Sequence, residues 1–304
     1  MSDATLDHNK QLPVWFGPLL VFAGGVSIGF APIGLRLGLD ELGPQAIAFW
    51  RYLFALPVLF ILAVLVNRRL PAKPNPYIVI AGTCFALDIG LWHWSLTYTT
   101  VANATFIVNL GNVCVGLTAW VFLKERPTAI WAVAVLIAIA GAAALSLGGE
   151  AGGKADLRGD LLALGAAALV SCYMVASKVA RRTIGGLDTI FWLTAVEIVV
   201  AAILVLAFRE SFLPSALSGF LAPLFLAIIV QIGGQALIIT GLGHTPAAIA
   251  GVLVLVQPVI AAGISWHLFD EPLTALQAGG AAFILFGIYL SQQRIKLGQQ
   301  KTSV

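Results

Sequence analysis

The chain has 304 residues, of which 60% are hydrophobic and only 10% charged, against roughly 45–50% apolar and 25% charged in an ordinary soluble domain. Its 17 Lys and Arg with 14 Asp and Glu cannot solvate the surface a soluble fold of this length exposes. The formal charge of +3 is too small and too scattered for the basic face that nucleic acid requires, which leaves an integral membrane protein whose partner is the lipid bilayer.

A hydrocarbon core takes about 20 apolar residues per helix, and windows of that size recur ten times. The expected fold is therefore all-α and integral to the membrane, with ten transmembrane helices. Met1 to Gln11 carries Asp3, Asp7 and His8 before its single Lys10 and precedes an apolar run too long for a signal peptide, so it reads as a polar tail ahead of an uncleaved first span at about 15–37. The second span, about 45–67, carries Arg51 in its second turn, where the side chain can snorkel or pair with a carboxylate. In the third, about 77–98, Asp88, Trp92 and Ser95 share a face at i, i+4 and i+7, with His93 and Trp94 adjoining. A carboxylate beside aromatic walls binds an ammonium by ion pairing and cation–π contact; the alternative is that Asp88 pairs with a neighbouring polar helix.

Only Tyr98, Thr99 and Thr100 separate this span from the fourth, at about 101–123. One continuous helix there would exceed about 40 residues, more than tilt accommodates. The fourth span holds Asn109 and Asn112 around Gly111, amides that suit either a substrate or interhelical glue, while Asn103 faces the mouth or caps the helix. After a fifth span at about 129–148 and a Gly-rich connection, the sixth, about 159–181, carries Ser171, Tyr173 and Lys178. Tyr173 offers an aromatic wall with a polar tip, and Lys178 is expected to reach the cytoplasmic headgroups. Glu197 lies midway in the seventh span, about 188–208, so a proton-coupled mechanism would have to use Glu197, Asp88 or His93. The eighth, about 219–242, has Gln231 and Gln235 on either side of Gly233 and Gly234. In the ninth, about 246–269, Gln257 precedes Pro258, which frees a carbonyl one turn earlier. The tenth runs from about 275 to 292. Cys84, Cys114 and Cys172 fall inside apolar runs with no disulfide or metal spacing, and no metal or cofactor is expected.

Lys and Arg in the short loops orient the chain. With the N-terminus cytoplasmic, the inside segments hold Lys10, Arg68, Arg69, Lys73, Lys124, Arg126, Lys178, Arg181, Arg182, Arg294, Lys296 and Lys301, and the outside ones only Arg36, Lys154, Arg158 and Arg209. Both termini are thus expected in the cytoplasm, and the protein in the inner (cytoplasmic) membrane.

Sliding the chain by 146 residues aligns Trp120 with Trp266, Glu125 with Glu271 and Thr128 with Thr274. Thr99 meets Thr245, Ala104 meets Ala250 and Val108 meets Val254 at the same offset. Each copy holds five spans, an odd number, so the second is inverted. The basic Lys124 to Arg126 loop falls inside and its acidic counterpart at Asp270 and Glu271 outside. The expected organisation is a tail at 1–14, a five-helix repeat at 15–148, a linker at 149–158, a second repeat at 159–292 and a tail at 293–304. Inverted repeats are the architecture of secondary transporters, with a midplane site between the halves. Tyr98 and His244 align in short turns on opposite sides, and these turns are expected to form the gates.

These halves, each closing on Trp, a Leu/Phe-rich turn and a Glu near Pro and Thr (Trp120 to Thr128, Trp266 to Thr274), resemble the EamA-type members of the drug/metabolite transporter superfamily. Within it, the stretch Leu91-Trp-His-Trp-Ser-Leu-Thr-Tyr is similar to the YddG-like amino-acid exporters. The resemblance implies export of small amphiphilic metabolites, with neutral and aromatic amino acids first, by alternating access. The candidate binding residues are Asp88, Trp92, His93, Asn109, Asn112, Tyr173, Gln235 and Gln257. Other small metabolites (purines, nucleotide-sugars or drug-like molecules) and a non-transport membrane role are the alternatives. An enzyme is not expected: Asp88 is the lone Asp deep in a span, and zinc-protease, nucleophile-elbow and phosphate-loop motifs are absent from the sequence.

Overall fold

A computed structural model describes residues 13–95, 98–99, 101–147, 156–269 and 273–300. Most of the N-terminal tail, residues 301–304, most of the Gly-rich linker, Asp270, Glu271 and the side chains of Asn103 and of residues 292–300 lie outside the described residues. All secondary structure among the described residues is helical. Among the described residues nine helices are long and apolar enough to cross a membrane: α1 (Phe16–Gly38), α2 (Pro44–Asn67), α3 (Pro76–Ser95), α4 (Val101–Leu123), α5 (Ala129–Leu147), α6 (Leu157–Ala180), α7 (Gly186–Ala207), α8 (Leu217–Leu242) and α9 (Ala247–Leu268). The last helix, α10 (Ala275–Gln300), has a shorter apolar stretch, Ala275–Ser291. The chain is a multi-pass membrane protein. Large apolar side chains such as Leu65, Phe122, Leu136 and Leu206 are exposed on the outside of the bundle, where lipid and not water is the natural solvent.

The third span is helical as far as Ser95, the last residue described before a turn at Tyr98 and Thr99 that precedes α4. That turn satisfies its own backbone, since Tyr98 and Thr99 both donate their N–H to the Ser95 carbonyl. Helices α2, α4 and α7 are followed by Arg68, Lys124 and Arg209 in the left-handed region, at φ 52°, 60° and 57°. Such a residue stops a helix by turning its carbonyls back, and a cation there also meets the negative end of the helix dipole.

Helix pairing follows a pattern. α2 packs on α7, α4 on α9 and α5 on α10. The remaining large contacts come in matched pairs: α3 on α6 with α8 on α1, α4 on α6 with α9 on α1, and α3 on α7 with α8 on α2. Small residues set the closest approaches. A Cβ at Gly24 in α1 would stand 2.6 Å from the Gly234 carbonyl oxygen of α8, and one at Gly141 in α5 would stand 2.6 Å from that of Gly280 in α10. Without water to drive association, such backbone contact is the main source of helix attraction in lipid.

Three helices are irregular in the middle. α1 is interrupted at Gly29 and Phe30, just before Pro32. α9 is interrupted at Leu255, three residues before Pro258. A proline has no N–H to return to the carbonyl four residues earlier, so Pro32 frees Ile28 and Pro258 frees Val254. In α8, residues Leu226–Gln235 form a π-helix, whose wider turn is uncommon and concentrated at functional sites.

Candidate functional site

A cavity of about 140 Å³ is enclosed by α1, α2, α3, α4, α6, α8 and α9. The two proline-interrupted helices supply Ile28, Gly29, Val254 and Gln257 to its wall, and α5, α7 and α10 supply nothing. Its polar side chains are Arg51, Asp88, Asn109, Asn112, Tyr173 and Gln257, and Phe85, Trp92 and Met174 are among its apolar ones. Asp88 is 4% exposed, and among the described residues its Oδ1 has no hydrogen-bond partner. A buried carboxylate oxygen without a partner is costly, and here it borders the cavity. Asn112 donates to Asn109 Oδ1 at 3.3 Å, which links the two amides on one face of α4. Tyr173 packs against Phe85 with ring centroids 4.8 Å apart, so an aromatic wall joins α3 to α6.

Behind this wall lies a fully buried polar cluster. Gln231 Nε2 donates to Glu197 Oε2 at 2.7 Å and to Thr194 Oγ1 at 2.9 Å. Gln235 Nε2 donates to the other carboxylate oxygen of Glu197, Oε1, at 2.9 Å. Arg51 Nε in turn donates to Gln231 Oε1 at 3.0 Å. The π-helical segment presents both glutamines to Glu197, and Gln231 connects that carboxylate to Arg51 in the cavity wall.

The structure brings six of the eight expected binding residues to one cavity: Asp88, Trp92, Asn109, Asn112, Tyr173 and Gln257. His93 and Gln235 are not among its walls. His93 is buried with its Nδ1 unpartnered; each helical residue turns by about 100°, so the face shared by Asp88 and Trp92 excludes it. Gln235 is used on Glu197 instead. Arg51 was missed: it does not snorkel but lies 5% exposed in the cavity wall. The signal available in sequence was an arginine inside an apolar window, but its helix face is not readable where α2 is apolar all round. Lys178 does not reach headgroups either. It donates to the Thr245 carbonyl oxygen and lies 3.4 Å from Glu125 Oε1.

The expected gate residues Tyr98 and His244 are both exposed, in turns that dock on α6. Thr99 Oγ1 donates to Asp160 Oδ1 at 3.0 Å at the start of α6, and Lys178 near its end holds Thr245. Eighteen residues of helix separate these contacts, roughly 27 Å at 1.5 Å per residue, so the two turns sit at opposite ends of the bundle. At the Thr245 end, Glu125 Oε2 accepts the Ala247 N–H at 2.9 Å, and Arg181 donates to the carbonyl oxygen of Ile239 at 3.0 Å. Burial, with the Arg181 charge beside it, holds the His244 imidazole below its usual pKa. Among the described residues no cluster of His, Cys, Asp and Glu fits a metal.

Comparison with known proteins places this architecture. The chain is 27% identical to the uncharacterized transporter YwfM of Bacillus subtilis over 237 residues, 75% of this chain and 77% of the relative. It is 25% identical to an uncharacterized transporter of Archaeoglobus fulgidus over 292 residues, 90% of this chain and 94% of that one. A solved crystal structure shares the fold at a TM-score of 0.77 and 20% identity, over 91% of this chain and 98% of the other. The model of the EamA-like transporter family matches twice, over residues 15–147 and again over 157–292. With both matches together spanning nearly every helix that builds or braces the cavity, the chain belongs to the EamA-like transporter family and is a membrane transporter.

Proposed function

We propose that the protein is a secondary transporter that exports small amphiphilic metabolites, with neutral and aromatic amino acids as its first substrates. It works by alternating access between two inverted five-helix halves, in ten spans with both termini in the cytoplasm of the producing cell. Two observations support the halves. The family model matches once per half, and exchanging the first five helices for the last five returns the same large helix contacts. A rocking motion of one half on the other needs that kind of matched interface.

The observation that carries the substrate reading is Asp88, whose Oδ1 has no protein partner in a cavity walled by Trp92, Phe85 and Tyr173. An ammonium group supplies the missing partner, and the aromatic faces add cation–π attraction. Asn109, Asn112 and Gln257 supply donors and acceptors for the rest of a small polar head. Size points the same way, because a cavity near 150 Å³ holds a benzene-sized group. Phosphate-bearing substrates fit poorly: they need several cations, and Arg51 is the sole cationic side chain in the wall among the described residues. Asp88 and Glu197 are the two deep carboxylates on which proton coupling would act.

Counterflow in proteoliposomes tests this. Purified protein loaded with unlabelled amino acids should accumulate a labelled neutral or aromatic one, with and without a pH gradient. Absence of exchange for every amino acid in the panel removes the proposal.

A further inference from the structure

Arg51 is a buried cation without a counter-ion in contact. Its Nε is held by Gln231, and its Cζ lies 5.4 Å from the Tyr52 ring centroid and 5.9 Å from that of Phe85. Among the described residues its two Nη nitrogens have no hydrogen-bond or ion-pair partner, and Asp88 in the same cavity does not come within ion-pair distance. Leaving a guanidinium in this state is costly unless a ligand completes it.

The surroundings fix its orientation. The Gln231 amide cannot flip, because its Nε2 is committed to Glu197 and Thr194, so its oxygen must face Arg51. The Nε position of the guanidinium is thereby occupied, and the Nη edge is left for the cavity. Glu197 is fully buried behind Gln231 and offsets the charge at a distance without occupying the fork. A planar fork with one edge satisfied and the other open matches a carboxylate, which it binds through two parallel hydrogen bonds.

We propose that Arg51 is the carboxylate-binding residue of the site, with Gln231 and Glu197 as positioning residues that aim it, so that the transporter selects amino acids over the corresponding amines. This rests on the amino-acid reading above and adds a second pole to it: Asp88 takes the ammonium and Arg51 the carboxylate.

Equilibrium binding to the purified full chain tests it with three matched probes: phenylalanine, phenethylamine and phenylpropionate. The wild-type protein should bind phenylalanine at least about tenfold more tightly than phenethylamine, the loss expected for about 1.4 kcal/mol. Arg51→Gln should bring phenylalanine down to the level of the amine and leave the amine itself unchanged, which also shows that the variant is folded. Arg51→Lys, which keeps the charge but not the fork, should fall between them. Equal losses for all three probes, or phenylalanine binding unchanged in Arg51→Gln, overturns the assignment while leaving the amino-acid reading in place. Binding of phenylpropionate alone, abolished by Arg51→Gln, keeps the carboxylate site and removes the amino-acid reading. If Arg51→Gln is not recovered folded, phenylalanine binding by Arg51→Lys equal to wild type overturns the assignment, and no binding of any probe to the wild-type protein overturns both.

Discussion

Asp88 and Glu197 are both carboxylates buried in apolar helices, yet their neighbours give them opposite duties. Glu197 accepts hydrogen bonds from Gln231 and Gln235, so Glu197→Ala takes one acceptor from each of two buried amides, at roughly 1–3 kcal/mol for each bond lost. Its thermal denaturation temperature in detergent should fall markedly. Asp88 loses no partner at Oδ1 when it becomes Asn. Asp88→Asn should therefore match or exceed the wild-type denaturation temperature while its counterflow falls at least about tenfold, the signature of a group that serves a ligand and not the fold. An Asp88→Asn variant that both denatures early and transports poorly would point to a structural carboxylate. Depth in an apolar span marked both residues in sequence alike; what separates them is the company they keep across helices, which no spacing within one span records. His93 shows the same limit from the other side, since it neighbours Trp92 in sequence and faces elsewhere.

At the scale of the helix, the spans were readable almost to the residue, because about 20 apolar positions between charges leave little freedom. Interruptions within spans were readable only where proline causes them. Pro258 announces the break at Leu255 by its missing N–H, whereas the π-helical segment Leu226–Gln235 has no sequence sign beyond two glycines. Helix faces were least accessible: where apolar residues surround a helix there is no amphipathic stripe to point inward. Two substitutions separate helices that line the cavity from helices that brace it. Pro258→Ala restores a hydrogen bond to Val254 and should leave the denaturation temperature unchanged or higher, with counterflow slowed several-fold if the interrupted helix must flex. Gly141→Leu drives a side chain into the Gly280 backbone between α5 and α10, at a cost of about 1–3 kcal/mol. Because neither helix borders the cavity, it should lower stability with little change in substrate affinity.

For the whole molecule, one polar contact between the two family-matched segments is a small junction where Glu125 meets Lys178 and Ala247, with Thr245 beside them. If this junction keeps one end shut, Glu125→Ala should speed labelling of a cysteine at position 244 by a membrane-impermeant thiol reagent in a background lacking Cys84, Cys114 and Cys172. Unchanged labelling with and without substrate would remove the gate role of the turn. The repeat was visible in sequence as Trp120 with Trp266 and Thr99 with Thr245, and the same offset shows that Lys178 has no basic counterpart, since the residue 146 positions earlier is Pro32; what sequence could not show is that Lys178 holds Thr245 and Glu125.

One carboxylate at that junction serves two masters. Glu125 gives Oε1 to the Lys178 ammonium on α6 and Oε2 to the first free N–H of α9. A shift of Glu125 disturbs both contacts at once, and Lys178 is itself anchored on Thr245, two residues before α9 begins. We propose that an opening at this end is cooperative, with the three groups parting together, so that a half-open channel through which solutes leak down their gradients has little to stabilise it.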